Sequence, residues 1–343
     1  MRKFLLFSLL VIALFLGVFL TIFIVIELSE EVSAVEIPEL VETSKLVETY
    51  DYDGKYYYID YEEYYEYEKY SEYYEYEEYK NYENYENYEN HKKTKYEEKD
   101  YILSVISSFE GVSVWFENIE TGFSVTYNED YVYFSASVTK APLALHVYTL
   151  AQQGFVNLDT KLTLTYSDLR GGSGILRHYY NVSDKFTIRR LLGLNLYESD
   201  NVATAMLFRY FGGTYRQFLA SIGANHTMAH SNLTNSGLSA TEAAIFARSI
   251  HSFIEEQDTY SEELRRNLLN NRFPFITSSY PVASKTGWTY PLALHDMAIV
   301  YAPSPYILVI LTNNRHRLYT DFHEFNKISY LFEMFNNRWF SQQ

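Results

Sequence analysis

The sequence predicts an α/β protein of the α+β type: one antiparallel sheet of about five strands, flanking helices and an all-helical lobe. Two alternating segments, 112–117 and 122–127, predict a pair of strands near the start of the folded part. Three further strand-like segments, 282–286, 296–302 and 306–312, come near its end. Because mainly helical patterns separate the two groups, we expect both ends to build one sheet, with a cleft between sheet and lobe.

Helices are predicted on both sides of this sheet. One begins near Ser137 and runs to about Gln153, and the stretch from about 155 to 270 supplies the lobe. The last helix covers 319–339. Its apolar residues recur at helical spacing and are Phe322, Phe325, Ile328, Phe332, Phe335 and Trp339.

The charge of the chain is concentrated in one segment. The net charge is −16 over 343 residues, and residues 27–100, with 24 acidic and 8 basic side chains, account for all of it. The acidity therefore gives no information about the partner of the folded part, and no basic patch predicts nucleic-acid binding. The absence of cysteine excludes disulfides, a thiol nucleophile and a Cys-based zinc site.

The N-terminus predicts a membrane anchor. Residues 4–26 carry no charge, and at about 1.5 Å per residue they are long enough to span a hydrocarbon core of about 30 Å. Arg2 and Lys3 precede this run, so the N-terminus is expected in the cytoplasm and the rest outside. The sequence thus predicts a single-pass membrane protein, with residues 1–27 as the anchor. The alternative is a signal peptide cleaved after 32–34, which also exports the rest.

Residues 28–96 predict a spacer before the folded domain. From Tyr58 to Tyr88 every third residue is tyrosine, and most residues between are acidic. A period of three matches neither an α-helix nor a coiled coil, so no continuous buried face forms. We expect this segment to be disordered or a solvated helix. The alternative is a tract that contacts the cell wall or associates with itself through its aromatic rings.

Ser137 and Lys140 form the first candidate site, in the segment Ser-Val-Thr-Lys. Residues three apart share a face of a helix, so the two side chains lie close together. A serine hydroxyl needs a neighbouring base to become a nucleophile, and a lysine with a lowered pKa is such a base. By itself this spacing also fits a chance pair on a helix face.

Two further segments carry candidate site residues. Ser199-Asp200-Asn201 lies between two helical patterns, where it can present polar groups to a cleft; it also fits a plain helix cap. Lys285-Thr286-Gly287 lies on a predicted strand, where a lysine and a hydroxyl can bind a carboxylate and a glycine allows close backbone approach. An ordinary strand end is the alternative there.

Together, S-x-x-K, S-D-N and K-T-G in this order resemble the signature of class A β-lactamases and penicillin-binding proteins. The resemblance covers about residues 97–343, which we assign to one serine hydrolase domain. It implies that Ser137 forms an acyl-enzyme, that Lys140 accepts its proton, and that Ser199 relays a proton to the leaving nitrogen. It implies no cofactor and no metal.

The resemblance also implies the substrate contacts. Asn201 would bind the amide side chain of the substrate, and Lys285 and Thr286 would bind its carboxylate beside Gly287. The backbone N–H groups of Ser137 and Trp288 would form the oxyanion hole. The implied substrates are β-lactams or D-alanyl peptides and esters of the cell wall.

One expected element of class A enzymes is missing. Those enzymes use a loop glutamate between the second and third motifs to activate the deacylating water. From Val202 to Arg248 the sole acidic residue is Glu242, which fits the first turn of a helix capped by Ser239 or Thr241. We therefore expect slow deacylation. The alternatives are a genuine class A β-lactamase and a non-catalytic surface protein that uses the fold as a scaffold.

Overall fold

The computed structural model describes residues 46–50, 56–60, 94–224, 236–289, 292–313 and 321–341. The chain divides into two compact units, Met1–Leu46 and Val47–Gln343, and the fold below is that of the second. The apolar run predicted at 4–26 lies outside the described residues. Among those that are described, no helix combines the length and the apolar composition needed to cross a membrane.

Eleven strands and eight α-helices are described in these ranges. The strands are β1 (Leu46–Tyr50), β2 (Tyr56–Asp60), β3 (Val112–Asn118), β4 (Ser124–Tyr127), β5 (Tyr133–Phe134), β6 (Lys161–Thr163), β7 (Lys185–Thr187), β8 (Gly237–Leu238), β9 (Val282–Thr289), β10 (Ala293–Val300) and β11 (Tyr306–Thr312). The helices are α1 (Lys95–Ile106), α2 (Lys140–Gln152), α3 (Leu176–Tyr179), α4 (Ile188–Tyr197), α5 (Asn201–Ser221), α6 (Ala240–Ile254), α7 (Thr259–Leu269) and α8 (Asp321–Trp339).

The central sheet has the strand order β4-β3-β11-β10-β9, and every neighbouring pair is antiparallel. This confirms the prediction of a five-stranded antiparallel sheet built from both ends of the domain. Strand β9, which carries Lys285-Thr286-Gly287, lies at one edge. Among the described strands, only β10 pairs with β9.

The sheet separates two apolar cores. Along β11, Ile307, Val309 and Leu311 face a core formed with the helical lobe, whereas Leu308 and Ile310 face a core formed with α1 and α8. Alternate side chains of a strand point to opposite faces, so a strand buried on both faces is apolar throughout. The predicted last helix is observed as α8, which packs Phe325, Phe332 and Phe335 on the second core.

The lobe departs from the all-helical prediction. Strands β6 and β7 form an antiparallel ribbon inside it, and β5 pairs with β8 beside the start of α2. These strands have only two or three residues, which is too short for an alternating pattern to be recognised. The predicted helix from Ser137 to Gln153 is observed as a 3₁₀ turn, Ala136–Thr139, followed by α2.

The structure also differs from the prediction for the spacer, residues 28–96. Strands β1 and β2 form a two-stranded sheet where a disordered or helical segment was expected. Valine and tyrosine favour strands, and Asp53-Gly54 between them favours a turn. The tyrosine repeat that continues from Tyr61 lies outside the described residues.

Candidate active site

The Ser-x-x-Lys segment forms the turn that leads into α2. Ser137 lies in the 3₁₀ turn and is partly exposed, whereas Lys140 is the first residue of α2 and is fully buried. Ala136, just before the serine, has a φ of +44°, a left-handed conformation that is uncommon for alanine. The turn therefore leaves Ser137 partly exposed while Lys140, three residues on, is buried.

The amine of Lys140 is bound by the Ser-Asp-Asn turn. Its Nζ lies 3.1 Å from Ser199 Oγ and donates to Asn201 Oδ1 at 2.7 Å, and it also donates to the backbone oxygen of Ser199. Burial lowers the pKa of Lys140 well below its ordinary value, and the charge of Lys285 lowers it further, against an opposing effect of Asp200. A neutral amine with a free lone pair is thus favoured here.

Lys285 reaches the same serine from the edge strand. Its Nζ lies 3.1 Å from Ser199 Oγ and 2.9 Å from Thr286 O, and the side chain is fully buried. Burial lowers the pKa of Lys285 to about 7, although Asp296 opposes the shift. Two ammonium groups that both contact one hydroxyl repel each other, so both amines are not charged together at low cost.

The Ser-Asp-Asn turn is built by its central aspartate. One oxygen of Asp200 accepts the first two free N–H groups of α5 at 2.8 and 2.9 Å, and the other accepts two N–H groups of the 171–176 loop at 2.8 Å each. The helix-cap interpretation is therefore confirmed, and the same carboxylate also fixes the loop. Ser199 has a φ of +52°, which turns its side chain toward both lysines.

The glycine-rich loop borders the site. Gly171 O accepts a hydrogen bond from Asn201 Nδ2 at 2.7 Å, and Ser173 O accepts one from Asn201 N at 2.9 Å. Gly174 has a φ of +118°, and a Cβ there would lie 2.3 Å from Asp200 Cγ. Only glycine fits this position, because any side chain would displace the aspartate that supports the turn.

Gly287 brings the edge strand against the turn that carries Ser137. A Cβ at this position would lie 2.8 Å from both Ser137 N and Val138 N. The backbone of β9 therefore approaches the N–H of Ser137 closely, as an oxyanion hole formed with Trp288 requires. Thr286 is buried on the same strand and Trp288 is partly buried.

Two acidic residues, Asp296 and Glu242, are buried in the fold. Asp296, which the sequence analysis did not single out, is fully buried behind β9, and burial raises its pKa to about 6. Its carboxylate accepts two backbone N–H groups, at 2.8 and 2.9 Å. Glu242 is buried in the first turn of α6, where Ser239 Oγ accepts its N–H, as predicted. Within the described ranges, no group of three or more His, Asp or Glu residues could bind a metal ion.

The sheet and the helical lobe meet where Lys140 and Lys285 both contact Ser199, beside the turn of Ser137. This arrangement is that of a β-lactamase-like serine hydrolase fold. A family model described as the beta-lactamase enzyme family matches residues 98–332. The chain belongs to that family. No curated protein matches the sequence.

Solved structures share the fold at low identity. PBP-A is 18% identical with a TM-score of 0.65, over 71% of this chain and 96% of that one. Its L158E mutant, described as an acyl-enzyme complex with penicillin G, is 17% identical with a TM-score of 0.64, over 71% and 97%. A β-lactamase from Chitinophaga pinensis is 19% identical with a TM-score of 0.61, over 69% and 98%. At these identities the likeness shows the fold alone.

Proposed function

We propose that this protein is an extracytoplasmic serine acyl-transfer hydrolase whose nucleophile is Ser137. It is acylated by β-lactams, or by D-alanyl peptides or esters of the cell wall, and it is deacylated slowly. The observation that carries this proposal is the pair of buried amines, Lys140 and Lys285, that flank Ser199 Oγ beside the turn of Ser137.

Acylation begins with the neutral amine of Lys140. It takes the proton of the Ser137 hydroxyl while the oxygen attacks the carbonyl carbon of the substrate. The lowered pKa of Lys140 supports this role, since a base must be unprotonated before the reaction starts. The negative charge on the carbonyl oxygen is stabilised by the N–H groups of Ser137 and Trp288.

The proton then returns through Ser199. The ammonium of Lys140 donates to Ser199 Oγ, 3.1 Å away, and the Ser199 hydroxyl gives its own proton to the leaving nitrogen. The carbon–nitrogen bond breaks, and the acyl group stays on Ser137. Charged Lys285, with Thr286, binds the carboxylate of the substrate, and Asn201 binds its amide.

Release of the acyl group lacks a dedicated base. Glu242, the sole acidic residue from Val202 to Arg248, lies in the first turn of a helix that Ser239 caps, a position that suits a structural role. A water molecule that attacks the ester needs a general base to be fast, typically by 10²–10⁴-fold. We therefore propose an adduct of long lifetime.

Export is part of the proposal. The uncharged run at 4–26 would anchor the chain in the cell membrane, and the acidic spacer would separate the domain from the bilayer. Cell-wall peptides and esters lie on that side of the membrane. The test is protease protection of the full chain in spheroplasts, where external protease should remove the domain.

A fluorescent penicillin tests the nucleophile. The full chain should acquire one covalent label, and Ser137→Ala should abolish it because no oxygen remains to carry the acyl group. Ser135→Ala is the matched control, since Ser135 lies two residues away and bonds Ser236 rather than the lysines. Label on Ser137→Ala would refute the assignment.

A genuine β-lactamase is the second candidate. It is favoured by the description of the matching family and by the β-lactamases among the structures that share the fold. Nitrocefin separates the two candidates. Rapid turnover by the full chain, lost in Ser137→Ala, would establish this candidate, whereas a single stoichiometric burst supports slow deacylation.

A further inference from the structure

Three buried side chains outside the motifs connect the two halves of the site. Asn195 on α4 and Thr204 and Tyr215 on α5 are at most 4% exposed. They lie on the two helices that flank the Ser-Asp-Asn turn, and they reach toward the Ser-x-x-Lys turn. We propose that they are positioning residues, which set the distance between Lys140 and Ser199. The proposal rests on the acylation chemistry proposed above.

Asn195 binds the backbone of the catalytic lysine. Its Nδ2 donates to Lys140 O at 3.0 Å. A carbonyl oxygen only accepts hydrogen bonds, so this contact fixes which end of the amide faces Lys140. The Oδ1 of Asn195 must then face Thr204 and accept the hydroxyl proton of Thr204 at 2.8 Å.

Thr204 connects this amide to the Ser-Asp-Asn turn. Its Oγ1 also lies 2.7 Å from Asp200 O, which already accepts the N–H of Thr204 at 3.0 Å. A hydroxyl has one proton, and within the described residues Asn195 Oδ1 receives no other donor. The proton of Thr204 therefore completes a series of hydrogen bonds that runs from the first turn of α5, through Asn195, to the first turn of α2.

Tyr215 makes a second connection between the same elements. Its hydroxyl donates to Thr139 O at 3.3 Å, in the residue just before Lys140. Burial raises the pKa of Tyr215 well above its ordinary value, and the charge of Glu242 raises it further, so the hydroxyl remains a donor. Two adjacent carbonyls of the Ser-x-x-Lys turn are thus bound by side chains from the helices that flank Ser199.

These contacts matter because the reacting groups lie on different elements. Lys140 Nζ must stay 3.1 Å from Ser199 Oγ and 2.7 Å from Asn201 Oδ1, although Lys140 begins α2 and the other two lie in the turn that leads into α5. Misplacement of about 1 Å can cost about 10²-fold in rate. None of the three side chains is bonded to a reacting atom, so their effect is exerted through the backbone.

Thr204→Val tests the proposal, because valine keeps the shape of threonine and removes the hydroxyl. The rate constant for acylation by fluorescent penicillin, measured on the full chain from pH 5 to pH 10, should fall about 10- to 100-fold. Thr204→Ser restores the hydroxyl and should recover most of the rate. Thr214→Val is the matched control, since Thr214 on α5 bonds His146 on α2 at 2.9 Å, away from the turn.

A second measurement needs no substrate. In ¹⁵N-lysine NMR of the full chain, Thr204→Val should raise the pKa of Lys140 toward its ordinary value because a looser turn admits water. Thr214→Val should leave that pKa unchanged. A folded Thr204→Val protein with the wild-type pKa, or equal effects of the two valine variants, overturns the proposal. If wild-type protein is never labelled, the proposed function fails, and the NMR titration still decides the positioning role.

Discussion

Lys140 and Lys285 both reach one hydroxyl, with each Nζ 3.1 Å from Ser199 Oγ. One amine belongs to a helix and the other to the edge strand of the sheet, so Ser199 is where the two parts of the domain meet. The pKa of both amines is lowered by burial. Their different partners suit different tasks: Lys140 as the base, Lys285 as the cation for a carboxylate.

The rate of acylation should depend on the charge of Lys285. The pKa of Lys285 is lowered to about 7, so its charge is present below pH 7 and is lost as the pH rises through that value. The rate constant for a carboxylate-bearing β-lactam should then fall by up to about tenfold per pH unit in alkaline solution. Stopped-flow labelling measures this. Lys285→Arg, which stays charged, should flatten the decline; a wild-type rate that climbs steadily to pH 9 contradicts the assignment.

The free energy of unfolding should depend on pH, because burial lowers the pKa of Lys285. In the unfolded chain Lys285 binds its proton up to about pH 10.5, but in the folded protein only up to about pH 7. The unfolded state therefore holds more protons between these values, and stability rises with pH by up to about 1.4 kcal/mol per unit. Lys285→Met lacks this dependence, so its advantage over wild type is largest below pH 7 and shrinks toward pH 10. Urea denaturation at several pH values measures it; a constant difference would count against the lowered pKa.

Gly287→Ala should disable acylation without unfolding the protein. The added Cβ would lie 2.8 Å from two backbone nitrogens of the nucleophile turn, so the edge strand must move away from Ser137. We expect a loss of about 100-fold in the rate of penicillin labelling. Gly213→Ala is the control: no atom lies within 4 Å of its Cβ, and the change should stabilise α5 by about 0.5–1 kcal/mol. Equal labelling of the two variants would contradict the close approach.

Asp200→Ala should destabilise more than the loss of an ordinary helix cap. Asp200 accepts four backbone N–H groups, two from α5 and two from the glycine-rich loop. Asp258 caps α7 with two backbone N–H groups and also accepts Gln152 Nε2 at 3.0 Å, so Asp258→Ala should cost about 1 kcal/mol. Asp200→Ala should cost at least about twice as much because the loop amides also lose their buried acceptor. Thermal unfolding of the two variants compares them; equal costs would show that the loop contacts contribute nothing.

Much of this architecture is visible in the sequence. Long apolar strands such as β10 and β11 are indicated by composition, and α8 by its regular spacing of aromatic residues. The three motifs predict the site residues because each has a fixed local form. The meeting of Lys140, Ser199 and Lys285 follows from the resemblance rather than from any local pattern, since long stretches of chain separate them.

The rest depends on contacts that have no local signature. The sequence does not distinguish Asn195, Thr204 and Tyr215 from other residues of amphipathic helices. Only the packing of α4 and α5 on α2 brings them to the turn before α2. The second role of Asp200 likewise depends on the path of a distant loop. The ribbon of β6 and β7 is too short to produce a periodic signal.

The lifetime of the penicilloyl adduct on Ser137 tests the central claim most directly. The full chain is labelled with fluorescent penicillin, excess unlabelled penicillin is added, and the remaining label is followed by intact-protein mass spectrometry. The account predicts one adduct per chain that persists for hours, because the machinery for attack is assembled around Ser199 while Glu242 is buried in a helix turn. Loss of the adduct within seconds, with steady release of penicilloic acid, would contradict it.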